Sequence, residues 1–114
     1  MLPADARLRS SAEFRSAMRS GIRSGRRTVV VHVALTGDAR RMAGFAVSKA
    51  VGGAVTRNRV KRRLRAVMQS RLSALPEGTS VVLRALPPAA DASFATLEGD
   101  VDGALRHAMS KVGR

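Results

Sequence analysis

The nine residues from Arg57 to Arg65, within the stretch GGAVTRNRVKRRLR (Gly52 to Arg65), carry six cationic side chains, one asparagine and no acid. Arginine presents a planar fork of donors that matches phosphate oxygens and base edges, and lysine presents a compact point charge. On a helix, Arg57, Lys61 and Arg65 stack at i, i+4, i+8, and Asn58 and Arg62 fall beside them within an arc of roughly 140°. Solvated helix faces usually alternate sign to gain (i, i+4) ion pairs, whereas this ridge repeats one sign and so calls for an external polyanion. Arg59 and Arg63 fall on the opposite flank, which predicts two basic surfaces. Asn58 supplies donors and an acceptor: it can tie a neighbouring arginine, read a group that no cation can, or sit on the helix surface with no role.

Bond-breaking chemistry has no comparable set of residues. Glu13, Asp38, Asp91, Glu98, Asp100 and Asp102 show no paired-carboxylate or metal-ligand spacing, and no Ser, His and Asp combination matches a nucleophile motif. With no cysteine and two isolated histidines, disulfides and thiolate metal sites are excluded and a histidine metal site is not expected. The glycines of VGGAV lack the Gly-Lys-Ser/Thr ending of a phosphate-binding loop and read as a tight strand-to-helix turn. No catalytic residue and no metal ligand is assigned to this chain.

The charge of the whole chain agrees with that division. Its 114 residues hold 21 Lys and Arg against 8 Asp and Glu, a formal net charge of +13, and only three of the cations are lysines. Residues 39 to 76 carry ten cations and no acid, while Glu77 onward carries five acids and four cations. A localised basic patch on one domain, residues 1 to 114, points to nucleic acid. An anionic membrane surface would favour aromatic anchors opposite the basic face, and the chain has no Trp, no Tyr and three Phe. The N-terminal stretch MLPADARLRSSAEF has no apolar signal core, and the longest apolar run is too short to span a bilayer. A soluble, cytoplasmic protein with no membrane partner is expected.

The elements that must position the ridge follow from periodicity. Ser10 with Glu13 matches a capping box, and Phe14, Ala17 and Met18 share one side of a first helix. A short edge strand near Ile22 to Arg26 precedes the clear strands Thr28 to Leu35 and Met42 to Ser48, these two joined by TGDARR as a hairpin loop. A long helix from about Ala54 to Leu75 carries the apolar stripe Val60, Leu64, Val67, Met68, Leu72 and Leu75, and PEG stops it. Ser80 to Ala85 is a third clear strand and LPPAAD a break. A final helix, Ser93 to Val112, places Phe94, Leu97, Val101, Leu105, Ala108 and Met109 on one face, with Gly99 and Gly103 costing roughly 1 kcal/mol each relative to alanine. The order α-β-β-β-α-β-α gives an α+β class: a small four-stranded sheet packed by helices, whose strands before and after the long helix could be parallel neighbours.

The segment AVSKAVGGAVTRNRVKRRLR, with the EF-containing helix before it and LPEGTSVVLRA after it, resembles the protein subunit of bacterial ribonuclease P. The hallmark Ala-Val-x-Arg-Asn-x-x-Lys-Arg-x-x-Arg is matched without a gap by Ala54, Val55, Arg57, Asn58, Lys61, Arg62 and Arg65. The resemblance implies a ribosomal-protein-like fold with a left-handed β-α-β crossover, against the usual hand. It implies an endoribonuclease (a hydrolase) whose RNA subunit, with bound Mg²⁺, removes the 5′ leader of precursor tRNA, while this small protein binds that RNA and the leader. RNA contact is thereby carried onto Arg57, Asn58, Arg59, Lys61, Arg62 and Arg65, with Lys49 extending the surface. A leader cleft between the first helix and the sheet would be lined by Phe14, Met18, Val30 and His32. Met18 and His32 stand where relatives often have aromatics, so stacking of leader bases, worth roughly 1 to 3 kcal/mol per platform, would count for less here. Plain core packing is the other reading of Phe14, Met18 and His32. A basic ribosomal or RNA-chaperone protein is the alternative function; a DNA-binding module is not expected, since a strand rather than a helix precedes the basic helix.

Overall fold

The structure is a computed structural model that describes residues 21–35 and 39–112. The helix expected from Ser10 onward, with Phe14 and Met18, lies outside them. Four strands follow one another as β1 (Ile22–Gly25), β2 (Val29–Leu35), β3 (Met42–Ala46) and β4 (Thr79–Ala85). Helix α1 (Ala54–Gln69) connects β3 to β4, and α2 (Phe94–Lys111) ends the described chain; single 3₁₀ turns occupy Leu72–Ala74 and Pro87–Ala90.

The strands form one sheet in the order β1-β2-β4-β3. β1 and β4 both run antiparallel to β2, and β3 runs parallel to β4, with Met42 opposite Ser80 and Ala46 opposite Arg84. The expected parallel pairing across the long helix is present; the expected hairpin between β2 and β3 is not. β4 lies between them because it pairs with β2 along its whole length, from Val29 opposite Ala85 to Leu35 opposite Thr79. Val31, Val33, Val81, Val82 and Leu83 are fully buried in the two inner strands, which explains their continuous apolar runs.

One face of the sheet carries Val29, Val31, Val33, Ala43, Val81, Leu83 and Ala85 into a core shared with both helices. The stripe expected on the long helix supplies Val60, Leu64, Val67 and Met68, all at 0% exposure, together with buried Leu72 and Leu75. The helix itself ends six residues sooner than expected. The Arg71 backbone N–H donates to the Met68 carbonyl at 3.0 Å, and the Ser70 hydroxyl and the Arg71 guanidinium both donate to the Val67 carbonyl. Leu72 and Leu75 stay in the core through the 3₁₀ turn that follows.

On α2, Leu97, Val101, Ala104, Leu105 and Ala108 are buried, and Ser93 caps the first turn by accepting from the Thr96 N–H at 3.1 Å. Phe94, expected on the packed face, is 40% exposed because it sits at the first helical position, beyond the reach of the core. Asp100 fastens the same helix to the sheet, accepting from the Thr28 hydroxyl at 2.6 Å and the Thr28 N–H at 3.2 Å.

Candidate nucleic-acid interface

The basic helix begins in a turn that only a small residue fits. Gly52 has φ +157°, and a Cβ there would lie 3.0 Å from Cβ and Cγ2 of Thr56. Gly53 then serves as the N-cap with no side chain to close the free N–H groups, and no acid lies in the first turn. A helix N-terminus carries a partial positive charge, so its unscreened end adds to the field of the cations that follow. Lys49 is exposed in the preceding turn and is not among the residues that line the groove of α1.

Along α1 the buried stripe fixes which residues face out. Asn58, Lys61, Arg62 and Arg65 line one open groove of about 490 Å³, with Val55 as the fifth wall. Val55 is 80% exposed, an apolar side chain held among cations. Sequence reasoning matched Val55 to the hallmark and gave it no contact; its signal was an apolar residue at i−3 from Asn58 and i−7 from Arg62, off the core stripe. Arg65 also lies over the Phe45 ring, 6.0 Å from its centroid, which sets the groove beside the edge strand β3. Arg57 is half-buried next to the groove, its Nε enclosed without a partner.

The opposite flank behaves differently. Arg59 donates from Nη2 to the Ala90 carbonyl at 2.9 Å, and Arg63 from Nη1 to the Ala92 carbonyl at 3.0 Å. These forks face the segment that joins β4 to α2, so the second basic surface is not presented as expected. Arg41 donates to the Leu75 carbonyl at 2.6 Å. Arg71 bonds Glu98 at 3.0 Å and both carboxylate oxygens of Asp102. The Arg71 hydrogen bond holds the Asp102 carboxyl below the usual carboxylate range. Glu98, Asp100 and Asp102 thus tie α2 to Arg71 and Thr28, and none of the three pairs with Arg57, Lys61, Arg62 or Arg65.

Val30 and His32 sit two residues apart on β2 and project to the sheet face away from the shared core, each 4% exposed. His32 pairs across the sheet with Arg23 and Val82, and Arg84 is the next same-face position on β4. Burial, then Arg84, then Arg23, push its pKa below that of an ordinary histidine, and neither ring nitrogen has a partner. Val30 and His32 therefore share one face; Phe14 and Met18, expected opposite them, are outside the described residues. No group of three or more His, Asp or Glu among the described residues could hold a metal ion.

A family model described as Ribonuclease P matches residues 2–109. The chain belongs to the ribonuclease P protein family. It is 60% identical over 107 residues to the ribonuclease P protein component of Beutenbergia cavernae, covering 92% of this chain and 89% of that one. The component from Kocuria rhizophila is 50% identical, over 97% and 98% of the two chains. The fold is similar to that of the Staphylococcus aureus RNase P protein, with a TM-score of 0.82 at 24% identity over 96% of this chain and 98% of the other. Membership makes the chain a protein subunit of the ribonuclease P endoribonuclease of tRNA maturation, and the ribosomal or chaperone alternative falls.

Proposed function

We propose that this subunit binds ribonuclease P RNA through the groove of α1 and holds the 5′ leader of precursor tRNA on the far face of the sheet. The observation that carries the first part is the uncompensated ridge: Asn58, Lys61, Arg62 and Arg65 line one groove beside an uncapped helix N-terminus. The side chains of Lys61 and Arg62 make no hydrogen bond or ion pair among the described residues, and that of Arg65 makes only its contact with Phe45. Phosphate contacts there would relieve the repulsion of like charges, and Asn58 would read a ribose or base group. Arg57 and Lys49 extend the surface along the backbone of the RNA. Phe14, Met18, Val30 and His32 would line the leader cleft, Val30 and His32 backing it from beneath at 4% exposure, and Arg23 and Arg84 would bring charge for the leader phosphates. Mg²⁺ is held by the RNA and supplies the chemistry, and the complex works in the cytoplasm.

Reconstitution tests this reading. The purified protein added to the ribonuclease P RNA of the same genome should restore site-specific leader removal from precursor tRNA at a Mg²⁺ concentration where the RNA alone is inactive. Binding to that RNA with no gain in cleavage would overturn it.

A further inference from the structure

Arg59 and Arg63 lie four residues apart on α1, and the carbonyls they reach, Ala90 and Ala92, lie two residues apart on the segment before α2. About one turn of α1 separates the two donors, so both guanidinium groups lie on one side of the helix and form two rungs between α1 and the β4–α2 connection. The acceptors are backbone atoms on a segment fixed at both ends, by the 3₁₀ turn Pro87–Ala90 with buried Ala89 and by the Ser93 cap of α2. An apolar stripe alone tolerates some rotation of a helix about its axis, because dispersion contacts have no direction, whereas two charge-assisted hydrogen bonds do.

We infer that Arg59 and Arg63 are positioning residues: they lock the rotation of α1 so that Asn58, Lys61, Arg62 and Arg65 converge on one groove, and Arg59 does not itself meet the RNA. This rests on the groove being the RNA contact. The sequence makes Arg59 one more cation of a basic run; the structure turns its fork inward onto a carbonyl, with Nε enclosed and unpartnered.

The test measures affinity for ribonuclease P RNA across a series of monovalent salt concentrations, beside thermal melting of each protein. The variants are Arg59→Lys and Arg63→Lys, which keep the charge and lose the fork, Arg59→Met, and Lys61→Ala as the groove reference. The expected result is a loss of roughly threefold to tenfold in affinity for each latch variant at temperatures where it is fully folded, with the salt slope of wild type. Lys61→Ala should lower the slope by about one. A slope lowered by about one in Arg59→Met, with Arg59→Lys as wild type, would make Arg59 a phosphate contact and overturn the latch. Wild-type affinity in both lysine variants, with lowered melting temperatures, would leave only a stabilising brace and also overturn it. If Lys61→Ala itself binds as wild type, the groove is not the contact, and the groove assignment and the latch fall together. Should Arg59→Met not fold, the two lysine variants decide alone.

Discussion

Arg62 and Arg59 stand three positions apart with the same charge, yet only Arg62 keeps its donors clear of the protein's own carbonyls. Charge by itself does not assign a role; the partner of the fork does. Among the groove residues each phosphate contact should appear as one released counterion. Arg62→Ala and Arg65→Ala should each lower the salt slope of RNA binding by about one unit, while Lys111→Ala, at the end of α2, should leave it unchanged. Salt-dependent titrations check this. His32 gives a prediction of a different kind. Its folded pKa is lowered by burial and by Arg84 and Arg23, so below about pH 6.5 the unfolded chain takes up a proton that the folded chain refuses. The stability it supports is complete above that pH and declines as pH falls toward the folded pKa. Melting temperatures measured between about pH 7.5 and pH 5 should drop for the wild type and drop less for His32→Gln. Parallel curves for the two would show that another group carries the acid sensitivity.

At the scale of elements, the glycines separate by what a Cβ would meet. Gly99 on α2 has nothing within 4 Å of that position, so Gly99→Ala should stabilise the fold by about 0.5–1 kcal/mol through helix propensity alone. At Gly103, about one helical turn further on, an added Cβ would lie 3.1 Å from Arg26 Nε, and the gain from Gly103→Ala should be smaller. Gly52→Ala should cost on the order of 1 kcal/mol or more, since the added methyl presses on Thr56 at the first turn of the basic helix. Denaturant unfolding of the three variants tests the order. Element types and the buried stripe of α1 were legible because 3.6-residue and two-residue periodicities are written in side chains. The end of α1 was not, because the apolar spacing continues through Leu72 and Leu75 while Ser70 and Arg71 close the helix on the Val67 carbonyl.

For the whole molecule, the expectation is a division of labour: the protein supplies a field and a surface, and the RNA supplies the reaction. Purified protein with precursor tRNA and Mg²⁺, and no RNA subunit, should give no leader removal. Site-specific cleavage that co-purifies with the protein through several columns would contradict this. The sequence by itself determined the net charge of +13, its concentration between residues 39 and 76, the residues of the hallmark and most of the core, since these depend on residue types and on spacing along the chain. Tertiary structure alone decided that β4 enters between β2 and β3, that Arg71 bridges to acids 27 and 31 residues away, and that Arg59 and Arg63 turn to the Ala90 and Ala92 carbonyls. Strand pairing and these two arginine bonds are made with backbone N–H and C=O groups, which every residue but proline carries alike, so the side-chain pattern holds no record of which carbonyl a distant donor will meet.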